Sequence, residues 1–240
     1  MSETMEQREQ SELRAVMPEM PFQVREAINA LRGNILMSGY KIQTIAVTSA
    51  LMHEGKSNTA FRLAKSLAAL EKKVIYVDCD IRNSEMLKRF RIRGEMPGLS
   101  EFLCGQISLK PAICQTDDPY FDMIFAGSYA PNPSELISGK IFSQMLEWLK
   151  RSYDYVILDT APVNAVIDGV IVAKQCDGTI LVVENGVTDR KQLIKAKTQL
   201  DYTGVKVLGV VLNKVKVKKG RYGKYGYGYG YGYGEENEKK

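Results

Sequence analysis

The sequence predicts an α/β fold: a mainly parallel sheet with helices on both faces. Two observations carry that expectation. Six short runs rich in Val and Ile are apolar on successive residues, as strands covered on both sides must be, and most are separated by stretches with apolar residues at helical spacing. The chain's 240 residues, 45% of them hydrophobic, are enough for one substantial core, so the expectation is one domain with tails.

Residues 1–21 are polar and contain Met17-Pro18 and Met20-Pro21, which reads as a flexible lead-in. The domain is expected over 22–213. Val24, Ala27, Ile28, Leu31 and Ile35 recur at helical spacing and predict an amphipathic helix over 23–35. Strands are expected at 44–49 (TIAVTS), 73–78 (KVIYVD), 121–127 (FDMIFAG), 155–160 (YVILDT), 178–184 (GTILVVE) and 205–213 (VKVLGVVLN). Helices are expected over 56–70, 134–151, 166–174 and 189–200. In such sheets ligands bind beyond the carboxyl ends of the strands.

No run approaches eighteen apolar residues; the best, around 163–173, is interrupted by Asn164 and Asp168. The polar start does not read as a signal peptide, and none is expected. Cys79, Cys104, Cys114 and Cys176 show no C-x-x-C spacing, so reduced, mostly buried thiols and a cytoplasmic setting are expected. Residues 214–240 hold eight Lys or Arg against three Glu, which equals the chain's whole formal charge of +5. The remainder is neutral, which argues against a nucleic-acid surface and for a disordered basic tail.

Directly after the first expected strand, residues 50–57 read ALMHEGKS, the phosphate-loop pattern G-x-x-x-x-G-K-S/T with Ala50 in place of the first glycine. In such a loop backbone N–H groups point at phosphate oxygens, the lysine neutralises the β and γ phosphates and the hydroxyl binds magnesium. His53, Glu54, Gly55, Lys56, Ser57 and Asn58 are thus the candidate nucleotide-binding segment, and the fold expected is of the phosphate-loop NTPase kind. The second strand ends in VDCDIR, where extended chain would place Asp78, Asp80 and Arg82 on one face, suited to a magnesium ion or a hydroxyl proton. VILDTAP presents Asp159 after three apolar residues, the arrangement in which a carboxylate holds magnesium, often through water.

The GKS loop, the D-x-D-x-R strand end of Asp78, Asp80 and Arg82, the ILDTAP segment and a C-terminal tyrosine cluster together resemble the bacterial tyrosine kinases of capsule and exopolysaccharide systems, in the form where the kinase is a chain separate from its membrane adaptor. That resemblance implies ATP as donor and tyrosine as acceptor. Lys56 would lie on the phosphates and Ser57, Asp80 and Asp159 around Mg2+, with Asp78 the candidate base. Asn213 resembles the residue that contacts adenine in related ATPases; a strand-end cap is the equal alternative. The family's first-helix motif E-x-x-R-x-x-R, which mediates ring assembly, is present as Glu26, Asn29 and Arg32, with Asn29 replacing the middle arginine. Met52 and His53 stand where members usually read Pro-Gly, which predicts weaker phosphate binding. Implied partners are a transmembrane adaptor that activates the kinase, a tyrosine phosphatase and a homo-oligomeric ring, with membrane association through the adaptor alone.

The tail segment GRYGKYGYGYGYGYG, residues 220–234, carries Tyr222, Tyr225, Tyr227, Tyr229, Tyr231 and Tyr233 on a glycine string with too few large apolar groups to repay ordering. Attached to an ATP site it reads as the phosphoacceptor; on its own it would equally suit a self-associating segment. Two other functions share parts of the pattern. A partitioning-type ATPase switch would carry a second lysine where this chain has Leu51. A non-catalytic nucleotide sensor of a polysaccharide assembly complex would tolerate Met52 and His53.

Overall fold

The computed structural model describes residues 20–38, 42–90, 96–128, 130 and 132–216. The six tail tyrosines lie outside them. Helix α1 (Phe22–Leu36) precedes β1 (Thr44–Ser49), α2 (Lys56–Ala68) and β2 (Val74–Asp78). Three short helices follow, α3 (Met86–Arg89), α4 (Leu99–Leu103) and α5 (Leu109–Ala112), then β3 (Cys114–Gln115) and β4 (Phe121–Ile124). The rest alternates regularly: α6 (Pro133–Ser138), α7 (Lys140–Ser152), β5 (Tyr155–Asp159), α8 (Asp168–Lys174), β6 (Gly178–Glu184), α9 (Arg190–Asp201) and β7 (Val207–Asn213).

The strands form one sheet in the order β3-β4-β2-β5-β1-β6-β7, parallel throughout except for β3 against β4. Alternate residues of each strand feed opposite layers. Ile45, Val47, Val74 and Tyr76 pack with Phe61, Leu63 and Leu67 of α2 on one face. Ile75, Val77, Val156 and Leu158 pack with Phe142, Met145 and Leu149 of α7 on the other, beside a third cluster in which Ala46, Leu181 and Val183 meet Ala196 and Leu200 of α9.

The structure differs from the sequence expectations at several points, each with a physical cause. The helix expected over 134–151 is two helices, because Gly139 is extended at φ −72°, ψ 159° and interrupts the intrahelical hydrogen bonds. The strand expected over 121–127 ends at Ile124; the carbonyls of Phe125 and Ala126 instead accept from the N–H groups of Leu99 and Ser100 at the start of α4. Among the four free cysteines only Cys79 is buried, and Cys104 is exposed.

Asp177, just before β6, ties the entry of the sheet together. Its carboxylate accepts from Gln43 N at 3.0 Å, Thr44 N at 2.9 Å and Lys150 Nζ at 3.1 Å. Burial would raise its pKa, but the Thr44 and Gln43 amides and Lys150 outweigh burial and hold it below the ordinary value. Asp177→Ala is therefore expected to cost about 1–2 kcal/mol at pH 7. For a depressed carboxyl the contribution is present above the unfolded value near 3.9 and disappears as pH falls through the lower folded value. Urea melts of wild type and variant should accordingly converge toward pH 3.

Candidate active site

The phosphate loop joins β1 to α2 and is fixed from beneath and from one side. Gly55 sits at φ +91°, and a β-carbon there would lie 2.1 Å from Asn213 Nδ2, so only glycine fits. His53 also has positive φ, 63°. The Glu54 side chain is buried under the loop, where its carboxylate accepts from Leu51 N at 2.7 Å and Glu184 N at 3.3 Å and binds the Thr188 hydroxyl. Glu54 thus shapes the loop through its side chain, while Met52, His53, Gly55, Lys56, Ser57 and Asn58 line the cavity above. Asn213 Nδ2 donates to the Glu54 carbonyl at 2.8 Å, which places the last residue of β7 against the loop backbone.

The carboxylates meet the loop because of strand register. Asp78 and Asp159 are paired positions on the adjacent strands β2 and β5, and β5 lies between β2 and β1. Lys56 Nζ lies 2.9 Å from Asp80 Oδ2, 3.6 Å from Asp159 Oδ1 and 3.4 Å from Ser57 Oγ. Burial would lower the Lys56 pKa, but Asp159 and Asp80 outweigh it and hold the ammonium above its ordinary value. Burial and the neighbouring Asp159 push the Asp78 carboxyl up to about 7, against the Ser84 hydroxyl and Lys56, which favour its charged form. Asp80 reaches this cluster from a turn rather than from extended chain: β2 stops at Asp78, the Asp80 N–H donates to Asp78 Oδ1 at 3.2 Å, and Asn83 N donates back to the Asp80 carbonyl.

Asp159 is held by a residue that sequence reasoning missed. Tyr76, fully buried, donates its hydroxyl to Asp159 Oδ2 at 2.8 Å. The signal was present, since a tyrosine in an otherwise aliphatic strand needs a partner for its hydroxyl once buried. Asp159 Oδ1 is buried without a hydrogen bond, 3.6 Å from Lys56 Nζ, and Asp159 lines the cavity. Three carboxylates face one ammonium here, and that orphaned oxygen suits a hard divalent cation. Among the described residues no group of three or more His, Cys, Asp or Glu is placed to hold a metal ion by itself. Magnesium is commonly bound by one or two carboxylates together with substrate phosphates.

Arg82 lines the same cavity, but its guanidinium forks onto the buried Asp168 at the start of α8, and Ser134 Oγ donates to the same carboxylate at 2.6 Å. The start of α8 packs closely on the segment after β5, where a β-carbon at Gly169 would lie 2.2 Å from the Ala161 carbonyl. The cavity, of about 1010 Å³, runs from Lys56 and the aspartates to the α1 residues Val24, Ala27 and Leu31 and to the end of β7. On α1, Asn29 Nδ2 donates to Glu26 at 3.1 Å, and Arg32 donates to the carbonyl and hydroxyl of Ser66 on α2 at 2.7 and 3.0 Å.

A family model described as an AAA domain matches residues 42–207. The chain is 41% identical over 201 residues to the tyrosine-protein kinase CpsD of Streptococcus pneumoniae, covering 84% of this chain and 88% of that protein. The chain belongs to the bacterial tyrosine kinase family. The fold of this kinase matches the kinase domain of Escherichia coli tyrosine kinase ETK with a TM-score of 0.77 at 31% identity, covering 88% of this chain and 87% of that one. The mainly parallel sheet is thus of the phosphate-loop NTPase kind. A septum site-determining protein MinD from Pyrococcus horikoshii, at 19% identity and a TM-score of 0.59, shares the fold alone. No helix among the described residues is long and apolar enough to cross a membrane.

Proposed function

We propose that this kinase transfers the γ-phosphoryl group of ATP to tyrosine hydroxyls, with the tail tyrosines of a neighbouring copy as its first acceptors, and so regulates capsule or exopolysaccharide synthesis. The observation that carries this reading is the convergence of Lys56, Asp78, Asp80 and Asp159 at the mouth of the phosphate loop. Ser57, Asp80 and Asp159 would hold magnesium. When bound, the ion neutralises charge on the β and γ phosphate oxygens. Lys56, now paired with Asp80, exchanges that carboxylate for phosphate. Asp78 accepts the phenolic proton as the tyrosine oxygen bonds to phosphorus and the bridging β–γ P–O bond breaks. A phenol with a pKa near 10 gains from such a base at neutral pH.

The tail suits the role on charge. Each phosphate adds roughly −1.5 to −2, so three would cancel its charge of about +5 and weaken its attraction to an acidic site. Glu26, Asn29 and Arg32 would carry a ring contact, for which Arg32 must exchange its Ser66 partner. A transmembrane adaptor would activate the kinase and a phosphatase would reset the tail.

The test is to incubate the purified full chain with ATP and magnesium, with and without the adaptor's cytoplasmic segment, and to map phosphotyrosine by intact and peptide mass. A variant with Tyr222, Tyr225, Tyr227, Tyr229, Tyr231 and Tyr233 all changed to Phe should lose the phosphates entirely. Equal phosphate counts in variant and wild type would mean that the acceptor lies elsewhere.

A further inference from the structure

The phosphate loop contains a non-glycine residue in the left-handed region, and the chain holds it there from outside. His53 has φ 63°, a conformation that is sterically strained for an L-residue. Its carbonyl accepts from Lys214 Nζ at 2.7 Å. The same ammonium lies 2.7 Å from Glu184 Oε2 at the end of β6, and Glu184 N in turn donates to the Glu54 carboxylate. The next loop carbonyl, that of Glu54, accepts from Asn213. Two consecutive residues at the end of β7 therefore grip two consecutive carbonyls of the loop. Lys214 itself has φ 57°, so its backbone is also left-handed where the side chain reaches back.

Peptide planarity turns this grip into an orientation. In a trans peptide the C=O and the following N–H point in opposite directions. Drawing the His53 carbonyl toward Lys214 turns the Glu54 N–H to the opposite side of that peptide plane. The Asn213 bond does the same for the Gly55 N–H. Loop N–H groups are the donors that a phosphate loop offers to its ligand.

We propose that Lys214 is a positioning residue for nucleotide binding: by holding the His53 carbonyl against Glu184, it fixes the loop amides in the orientation that phosphate requires and offsets the strain at His53. The inference rests on the reading that nucleotide phosphates bind this loop. Lys214 needs only to touch the loop, and the ligand need never touch Lys214.

The experiment uses the full chain and measures KM for ATP and kcat in phosphotyrosine formation, together with ADP affinity by calorimetry. Lys214→Gly is the informative variant, because glycine relaxes the left-handed backbone while removing the ammonium, so the fold is not put at risk. Losing one charge-assisted hydrogen bond should raise KM and the ADP dissociation constant about tenfold, with kcat changed less than about threefold. Lys214→Arg should keep affinity within about threefold, since it retains a cation on the same carbonyl. With glycine at position 53 the strain is gone, so Lys214→Gly in a His53→Gly background should cost less than about threefold. Unchanged affinity in Lys214→Gly, or the same loss in both backgrounds, overturns the proposal. A wild-type chain that binds no nucleotide overturns the phosphate reading itself, and this inference with it.

Discussion

Lys56→Met is expected to reduce phosphotyrosine formation on the order of a thousandfold, as loss of a preorganised charge at a transferring phosphoryl group does elsewhere. The structure adds a second consequence. The Lys56 side chain is 13% exposed, and its ammonium lies 2.9 Å from Asp80 and 3.6 Å from Asp159, with Asp78 also feeling its charge. Methionine fills a similar volume without the charge, so the carboxylates repel one another at a buried point. Removing one partner of a buried ion pair typically costs about 3–5 kcal/mol. The variant should therefore melt earlier than wild type at neutral pH, and the gap should narrow in acid, where protonation of Asp78, whose carboxyl is already pushed up to about 7, removes one of the repelling charges. Thermal melts at pH 7 and pH 4 beside a phosphotyrosine assay test both parts. Retained phosphorylation in Lys56→Met would remove this lysine from the chemistry.

How much of this was readable in the sequence follows from what each element depends on. Strands β1, β2, β5 and β6 are almost wholly buried and built mainly from Val, Ile, Leu and Ala, so their burial leaves a one-dimensional record. β3 is two residues long and α3 to α5 are four or five, too short for any periodicity to accumulate. The break at Gly139 is a backbone conformation that the apolar spacing of 134–151 does not encode. The loop lysine and the three aspartates sit in local motifs and could be named in advance. Their supports could not: Asp168 under Arg82 and Lys214 on His53 join segments that only the sheet order brings together, and Ser84 meets Asp78 only through the turn that follows β2. The inward turn of Glu54 is of the same kind, since it depends on β6 lying beside β1.

Tyr76→Phe tests the support that matters most. Phenylalanine keeps the ring in its packed position, edge-on to Phe61 at 6.1 Å, and deletes only the hydroxyl that donates to Asp159 Oδ2 at 2.8 Å. Burial, then the nearby Asp159, raises the Tyr76 pKa well above its ordinary value, so the phenol is a fixed donor and not a base. Without it, both oxygens of Asp159 lack a hydrogen bond and only Lys56 remains to orient the carboxylate. Stability should fall by about 1–3 kcal/mol, the cost of a buried acceptor left unsatisfied. On the proposed assignment of Asp159 as a magnesium ligand, activity should fall more, roughly 10–100-fold, because a residue that aims a metal ligand acts through the geometry of that ligand. The discriminating readout is the magnesium concentration for half-maximal activity. If Tyr76 sets where Asp159 points, that concentration rises in Tyr76→Phe, and excess magnesium recovers part of the rate. A variant that is merely less stable would show the wild-type magnesium dependence at temperatures where it is folded, and Asp159 would then owe its orientation to Lys56 and the strand register alone.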